Sequence, residues 1–306
     1  MDVDGSPYSP SLKRVCHIKR YTGVLPLRNY TEIEQTLFDG YKYLEDVRVG
    51  DVHQPLYATP LDDTSLSKRA RQYFLQNNFI WMDHQIRARF PAEDDTSEYY
   101  GPTKRRKTTK HDNGYYHVIN NIISFMRLSA SGRKEHMRHR TVLCVIERTS
   151  NHPIRTVAGP LASSLFTVKS DIELVPGDVI GMYTGIVSEG AFAHDEDTTY
   201  TFGVSTYRSN DVSPCDDYEI RISALEFGNE MRYINDYHGY TYQNGAIATG
   251  PNVSGFEVWY RNEAQNVTVP GIIWIVTDNI QRGEEILGAY GEDYWYNMWR
   301  RQLSAR

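Results

Sequence analysis

The apolar residues of this chain change their period part-way along it. Before residue 130 they recur at three and four. Ile33, Leu37 and Tyr41 follow the capping-box tetrad Thr31-Glu32-Ile33-Glu34, which predicts a helix near 31–45. Ala70, Tyr73 and Phe74, with Phe79 beyond, predict a second helix from Ser65 to about Asn77. Val118, Ile119, Ile122, Ile123 and Met126 predict a third over 115–129, with one apolar stripe turned to a core. Residues 1–30 show no period. Residues 91–114 lack apolar periodicity and carry blocks of charge, which predicts a linker or mobile loop.

Beyond Arg140 the helical period gives way to short apolar and aromatic runs at 140–148, 164–168, 179–184, 200–207, 218–225, 255–260 and 271–277. Gly, Pro, Asn and Asp separate them at irregular spacing, so they read as strands without a repeating unit. One more helix, rich in Trp and Tyr, is predicted over 292–302. The chain therefore reads as a helical and irregular N-terminal region, 1–139, of unassigned role, followed by a mostly β region, 140–306. The fold class is α+β.

Composition narrows the classes. A length of 306 residues with 40% hydrophobic and 24% charged residues suits one or two globular domains. No apolar run nears the roughly 20 residues of a membrane helix, so no membrane partner is expected. The acidic, polar start predicts no secretory signal peptide. Cys16, Cys144 and Cys215 lie far apart, without a CxxC pair, and the histidines complete no ligand set; no metal site and a reducing compartment are expected. The net charge of −6 hides a split: residues 1–150 carry +5 and residues 151–306 carry −11. An acidic half suits a basic partner. Lys104-Arg105-Arg106-Lys107, with Lys110, reads as a nuclear localisation signal or a nucleic-acid patch. Arg133, Lys134, Arg138 and Arg140, with His136 and His139, form a second basic group able to meet DNA phosphates.

Four ordered segments of the second half carry a resemblance. They are Gly177-Asp178-Val179-Ile180-Gly181-Met182-Tyr183-Thr184-Gly185, the run 222–235 (ISALEFGNEMRYIN), Pro251-Asn252-Val253, and the run 278–291 (DNIQRGEEILGAYG). Together they resemble the SET domain family of protein lysine methyltransferases. The resemblance implies small curved β-sheets around a knot-like C-terminal crossing. It also implies S-adenosylmethionine as methyl donor and lysine on a basic protein, such as a histone, as acceptor. By the same resemblance Tyr290 takes the catalytic tyrosine position, and Tyr183 is the strand tyrosine at the active site. Asn235 holds the cofactor, with Arg232 and Asn229 at structural or cofactor-side positions of the same motif.

The chain departs from the family pattern at several places. Ser163 and Ser164, within Ala162–Phe166, stand where the cofactor-binding G-x-G is expected. Asp236 replaces the motif histidine, where a carboxylate faces the donor's cationic groups. Residues 236–250 enlarge the loop before Pro251. The zinc cysteines of some relatives are absent, and Trp295, with Tyr294, Tyr296 and Trp299, is expected to close the pocket instead. Gly288, two residues before Tyr290, stands where relatives often carry an aromatic limiting the number of methyl groups. A roomy channel floor is expected, open to di- or trimethylation unless another tyrosine fills it.

The residue types suit methyl transfer. The enzyme must align a sulfonium with a neutral amine, so positioning supplies much of the acceleration. An apolar, tyrosine-lined channel disfavours the charged form of lysine, and a hydroxyl orients the amine. The implied protein is nuclear, with the cytoplasm also open to it. It touches DNA or a nucleosome through its basic segment. Two other classes stay open: an inactive SET-like adaptor, and a nucleic-acid-binding protein working through 104–148.

Overall fold

A computed structural model describes residues 42–50, 76–81, 83–90, 114–145, 166–189, 200–204, 220–240 and 245–291. Before residue 140 these hold strands β1 (Lys42–Tyr43), β2 (Arg48–Val49) and β3 (Phe79–Trp81), and helices α1 (Asp83–Arg89), α2 (Tyr115–Met126) and α3 (Ala130–Arg138). Next come β4 (Thr141–Val145), β5 (Phe166–Ser170), β6 (Val179–Tyr183), β7 (Ile186–Glu189), β8 (Thr201–Val204), β9 (Ile220–Ser223) and β10 (Phe227–Gly228). A 3-10 turn (Glu230–Tyr233), β11 (Asn235–Asp236), β12 (Val253–Asn262), β13 (Val267–Val276) and β14 (Leu287–Gly288) complete the series. The architecture is a mostly β, α+β arrangement of small sheets. None of the described helices is long and apolar enough to cross a membrane.

Two four-stranded sheets dominate, in the orders β3-β12-β13-β6 and β2-β7-β9-β8. The long hairpin β12–β13 is antiparallel from Val253↔Val276 to Asn262↔Val267. Its turn needs a left-handed residue, supplied by Asn266 at φ 55°. Every residue from Val269 to Val276 is buried, as expected of a strand covered on both faces. Strand β13 pairs Trp274 with Gly181 and Ile275 with Val179, skipping one residue of β6. This bulge lies in the first motif segment.

The early part of the chain is joined to the later sheets. β1 pairs with β10, β2 with β7 and β3 with β12. The predicted stripe of α2 is borne out: Val118, Ile119, Ile122, Ile123 and Met126 are all buried. At the end of the helix predicted over 31–45 the expectation fails. Lys42 and Tyr43 form a strand, because pairing with Phe227 and Gly228 overrides the local period. Leu44 and Glu45 are not helical either; residues 31–41, and 65–77 apart from helical Gln76 and Asn77, lie outside the described residues. So do 91–113 and 292–306.

Helix α3 was not foreseen. Met137 is its one buried apolar residue, so it carries no apolar stripe to detect. Its start is fixed by Ser129, whose hydroxyl accepts the Gly132 N–H at 3.1 Å. Its cations are engaged inside the fold. Arg133, 7% exposed, pairs with Asp46 at 2.8 Å, Lys134 with Glu45 at 3.0 Å, and Arg138 lies 3.9 Å from Glu230. Lys134 and Arg138 also stand over the Tyr43 ring. Tyr260 donates its hydroxyl to Asp46, completing a clamp that ties 42–50 to α3 and β12. Arg133, Lys134 and Arg138 thus hold the N-terminal strands in place.

Candidate active site

The first motif segment forms β6, buried along its whole length. Its end glycines have different reasons. Gly177 adopts φ 97°, and a Cβ there would meet His117 Cδ2 at 2.7 Å. Gly185 passes Ser223 so closely that a Cβ would lie 2.4 Å from its carbonyl oxygen. The second segment is stitched to the first by Asn229. Its Oδ1 caps the 3-10 turn, accepting the Met231 N–H at 3.1 Å, and its Nδ2 donates to the Met182 carbonyl at 2.7 Å.

The last segment, 278–291, lies beside the second and the Pro-Asn-Val piece. β11 and β14 run parallel, with Asn235↔Leu287 and Asp236↔Gly288. On the other flank Asn252 brackets the same stretch, donating Nδ2 to the Glu285 carbonyl at 2.9 Å and accepting the Leu287 N–H at 2.8 Å. Asn235, fully buried, donates Nδ2 to Glu285 Oε1 at 3.0 Å. Tyr290 is held at both ends. Its backbone N–H donates to Asp236 Oδ2 at 2.6 Å, and its hydroxyl donates to the Ile234 carbonyl at 3.1 Å. Gly291 follows at φ 87°.

Tyr183 is buried, donates its hydroxyl to the Tyr200 carbonyl at 2.5 Å and meets Phe202 edge-on at 4.9 Å. Phe202 meets Trp274 edge-on at 5.5 Å. Trp274 fills the space beside Gly288: a Cβ on that glycine would lie 2.9 Å from Cη2 and 3.1 Å from Cζ3. An aromatic row, Tyr183–Phe202–Trp274, therefore runs from β6 to the strand preceding Tyr290. The void expected beside Gly288 is occupied by an indole reaching over from β13.

Asn235, Asp236 and Tyr290 are thus brought together. Arg232 lies a little apart, its guanidinium 3.6 Å above the Tyr200 ring and 5.1 Å from that of Tyr233, with Nη1 donating to the Leu225 carbonyl at 3.2 Å. Ser163, Ser164 and Trp295 lie outside the described residues. Phe202, Trp274, Asn252, Glu285 and His238 entered no site reading from sequence. Only Asn252 and Glu285 carried a signal, each standing in a quoted motif. Beneath the site, burial pushes the Glu230 carboxyl up, offset in part by Arg138 and the Tyr43 hydroxyl. Burial pulls His136 down, against the pull of the Val179 carbonyl it bonds at 2.8 Å.

No protein-family model matches the chain, and no curated protein matches it. Solved structures do. SET-domain proteins are among them. The ATXR5 SET domain bound to a methylated histone is 17% identical, with 49% of this chain covering 57% of that one and a TM-score of 0.31. ATXR5 in a second histone complex is 13% identical over 84% of both chains, TM-score 0.39. SUVH6 from Arabidopsis thaliana, in complex with SAM, is 21% identical over 42% of this chain and 25% of that one, TM-score 0.29. The chain spans about half the length of the first of these and a quarter of the last.

Proposed function

We propose that the chain is a SET-type, S-adenosylmethionine-dependent protein-lysine N-methyltransferase acting on a basic nuclear protein such as a histone. Its SET-like unit is 140–306, completed by strands from before residue 140. The observation that carries the reading is the convergence of the ordered motif segments. The parallel pairing of Asn235–Asp236 with Leu287–Gly288 sets Tyr290 against Ile234, and Asn252 closes the other flank.

The residues present suit the donor. Asn235 places a buried carboxamide, its Nδ2 held by Glu285 Oε1, at the junction of β11 and β14. Arg232, Ser163, Ser164 and Trp295 are the further proposed contacts. The donor supplies an electrophilic methyl on a sulfonium. The chain's own residues do the rest. The Tyr290 hydroxyl, its proton directed to the Ile234 carbonyl, turns oxygen lone pairs toward the amine N–H groups. Tyr183, Phe202 and Trp274 form an apolar wall that disfavours the ammonium form and excludes water. The acidic second half draws a Lys- and Arg-rich substrate toward it.

The test uses labelled donor with a panel of histones and basic peptides. Wild type transfers label, and Tyr290→Phe lowers turnover strongly while keeping the melting temperature. Unchanged turnover would refute the role of Tyr290. A second reading, an inactive adaptor, is favoured by one observation: Asp236 holds Tyr290 and His238 where the family has its histidine. Absence of S-adenosylmethionine binding by calorimetry would support it.

A further inference from the structure

The most unusual polar arrangement in the described residues surrounds Asp236. Its carboxylate is almost wholly buried, its side chain being 1% exposed. A buried charge is costly unless paired and hydrogen-bonded. Here each oxygen has its own work. Oδ2 accepts the Tyr290 N–H. Oδ1 accepts the His238 N–H at 2.9 Å and the ring Nδ1 of the same residue, whose side chain is 55% exposed. The imidazole lies against the Tyr237 ring, centroids 4.1 Å apart.

The backbone explains why a side chain is needed. In the β11–β14 pair Tyr237 donates its N–H to the Gly288 carbonyl at 3.1 Å. A regular parallel ladder would next take the Tyr290 N–H to the Tyr237 carbonyl. Instead the chain turns at Tyr237–Tyr240, where Gly239 adopts φ 74°, and the Asp236 carboxylate receives that N–H. The bond is charge-assisted, so it fixes the Tyr290 backbone more firmly than a carbonyl would.

We infer that Asp236 is a positioning residue, setting where Tyr290 stands with one carboxylate oxygen while His238 holds the other. The inference rests on Tyr290 being the residue that orients the amine. It replaces the expectation that Asp236 faces the methyl donor, because both oxygens are engaged by the protein. The catalytic group is Tyr290; Asp236 and His238 act through it.

The experiment measures backbone amide exchange at Tyr290 by NMR on the full chain labelled with 15N-tyrosine and 15N-isoleucine, alongside S-adenosylmethionine affinity by calorimetry. Asp236→Asn should speed exchange at Tyr290 about tenfold or more, the loss expected of a charge-assisted bond. His238→Ala should act in the same direction, and His238→Gln, which keeps a side-chain donor, should restore part of the protection. The Ile273 amide, in the core of β13, stays unchanged in all three. Donor affinity should change by less than about twofold in Asp236→Asn while kcat falls. Tyr290 exchange equal to wild type in Asp236→Asn and His238→Ala would overturn the inference, as would a collapse of donor affinity with Tyr290 unmoved. An effect of Asp236→Asn alone would overturn the part given to His238. If Asp236→Asn does not fold, the two His238 variants decide. A wild type that binds no S-adenosylmethionine would defeat the methyltransferase reading, and the amide measurement would still decide whether Asp236 and His238 hold Tyr290.

Discussion

Gly288 offers a direct perturbation of the aromatic row. An alanine there would put its Cβ 2.9 Å from Trp274 Cη2, 3.1 Å from Cζ3 and 3.3 Å from Ile234 Cγ2. Neither neighbour has room to swing, since Trp274 is 3% exposed and Ile234 is 2% exposed. Overpacking of this kind costs about 1–3 kcal/mol. For a domain of this size that lowers Tm by roughly 2–12 °C. The clash is with the outer edge of the indole, which Trp274→Phe removes. The two substitutions should therefore couple: Gly288→Ala costs less in the Trp274→Phe background, by about 0.5–3 kcal/mol. Thermal unfolding of wild type, both single variants and the double variant measures the cycle. Mass spectrometry of methylated substrate adds a second readout. If the indole narrows the channel, Trp274→Phe shifts product toward more methyl groups per lysine. Strict additivity, or Gly288→Ala as stable as wild type, would show that Trp274 does not fill this space.

Three further outcomes are expected. Gly185→Ala should cost at least about 3 kcal/mol, because its Cβ would meet the Ser223 carbonyl backbone, whereas Gly203→Ala, with nothing within 4 Å, should be neutral or stabilising by about 0.5–1 kcal/mol; urea unfolding of the pair checks this. Arg133→Met should cost about 3 kcal/mol by stranding Asp46, and Asp46→Asn in that background should recover part of it, read from the same unfolding curves. The third concerns pH. Glu230 is raised in the fold, so its contribution is full below its ordinary value of 4.5 and is lost as pH rises through the folded value. His136 is lowered, so its contribution is full above 6.5 and is lost as pH falls through the folded value. Urea midpoints against pH should therefore lose part of the decline that sets in as pH rises above 4.5 in Glu230→Gln, and part of the decline that sets in as pH falls below 6.5 in His136→Gln.

Much of the strand order was legible because the strands are short, apolar and separated by strong turn residues. The runs at 179–184, 218–225, 255–260 and 271–277 each contain or overlap an observed strand. Helix α2 was legible from its stripe, and α3 was not, since its partners are ions rather than apolar residues. The Arg133–Asp46 pair spans 87 positions and leaves no local signal. Motif order alone drew attention to Asn235 and Tyr290, which the fold brings together around Asp236. The site was not legible where side chains from separate elements meet. Trp274 sits in a run that reads only as strand, and its contact with Gly288 joins two separate strands, β13 and β14. His238 follows a plain turn signal, and its tie to Tyr290 exists only because β14 runs beside β11.

The central claim is that these converging segments transfer a methyl group to lysine. It is tested most directly by incubating the full chain with radiolabelled S-adenosylmethionine and core histones, and locating the label by mass spectrometry. Label on a lysine with wild type, and its strong reduction with stably folded Tyr290→Phe, is the result predicted. Binding of the donor without transfer to any basic substrate, or equal transfer by Tyr290→Phe, would contradict it.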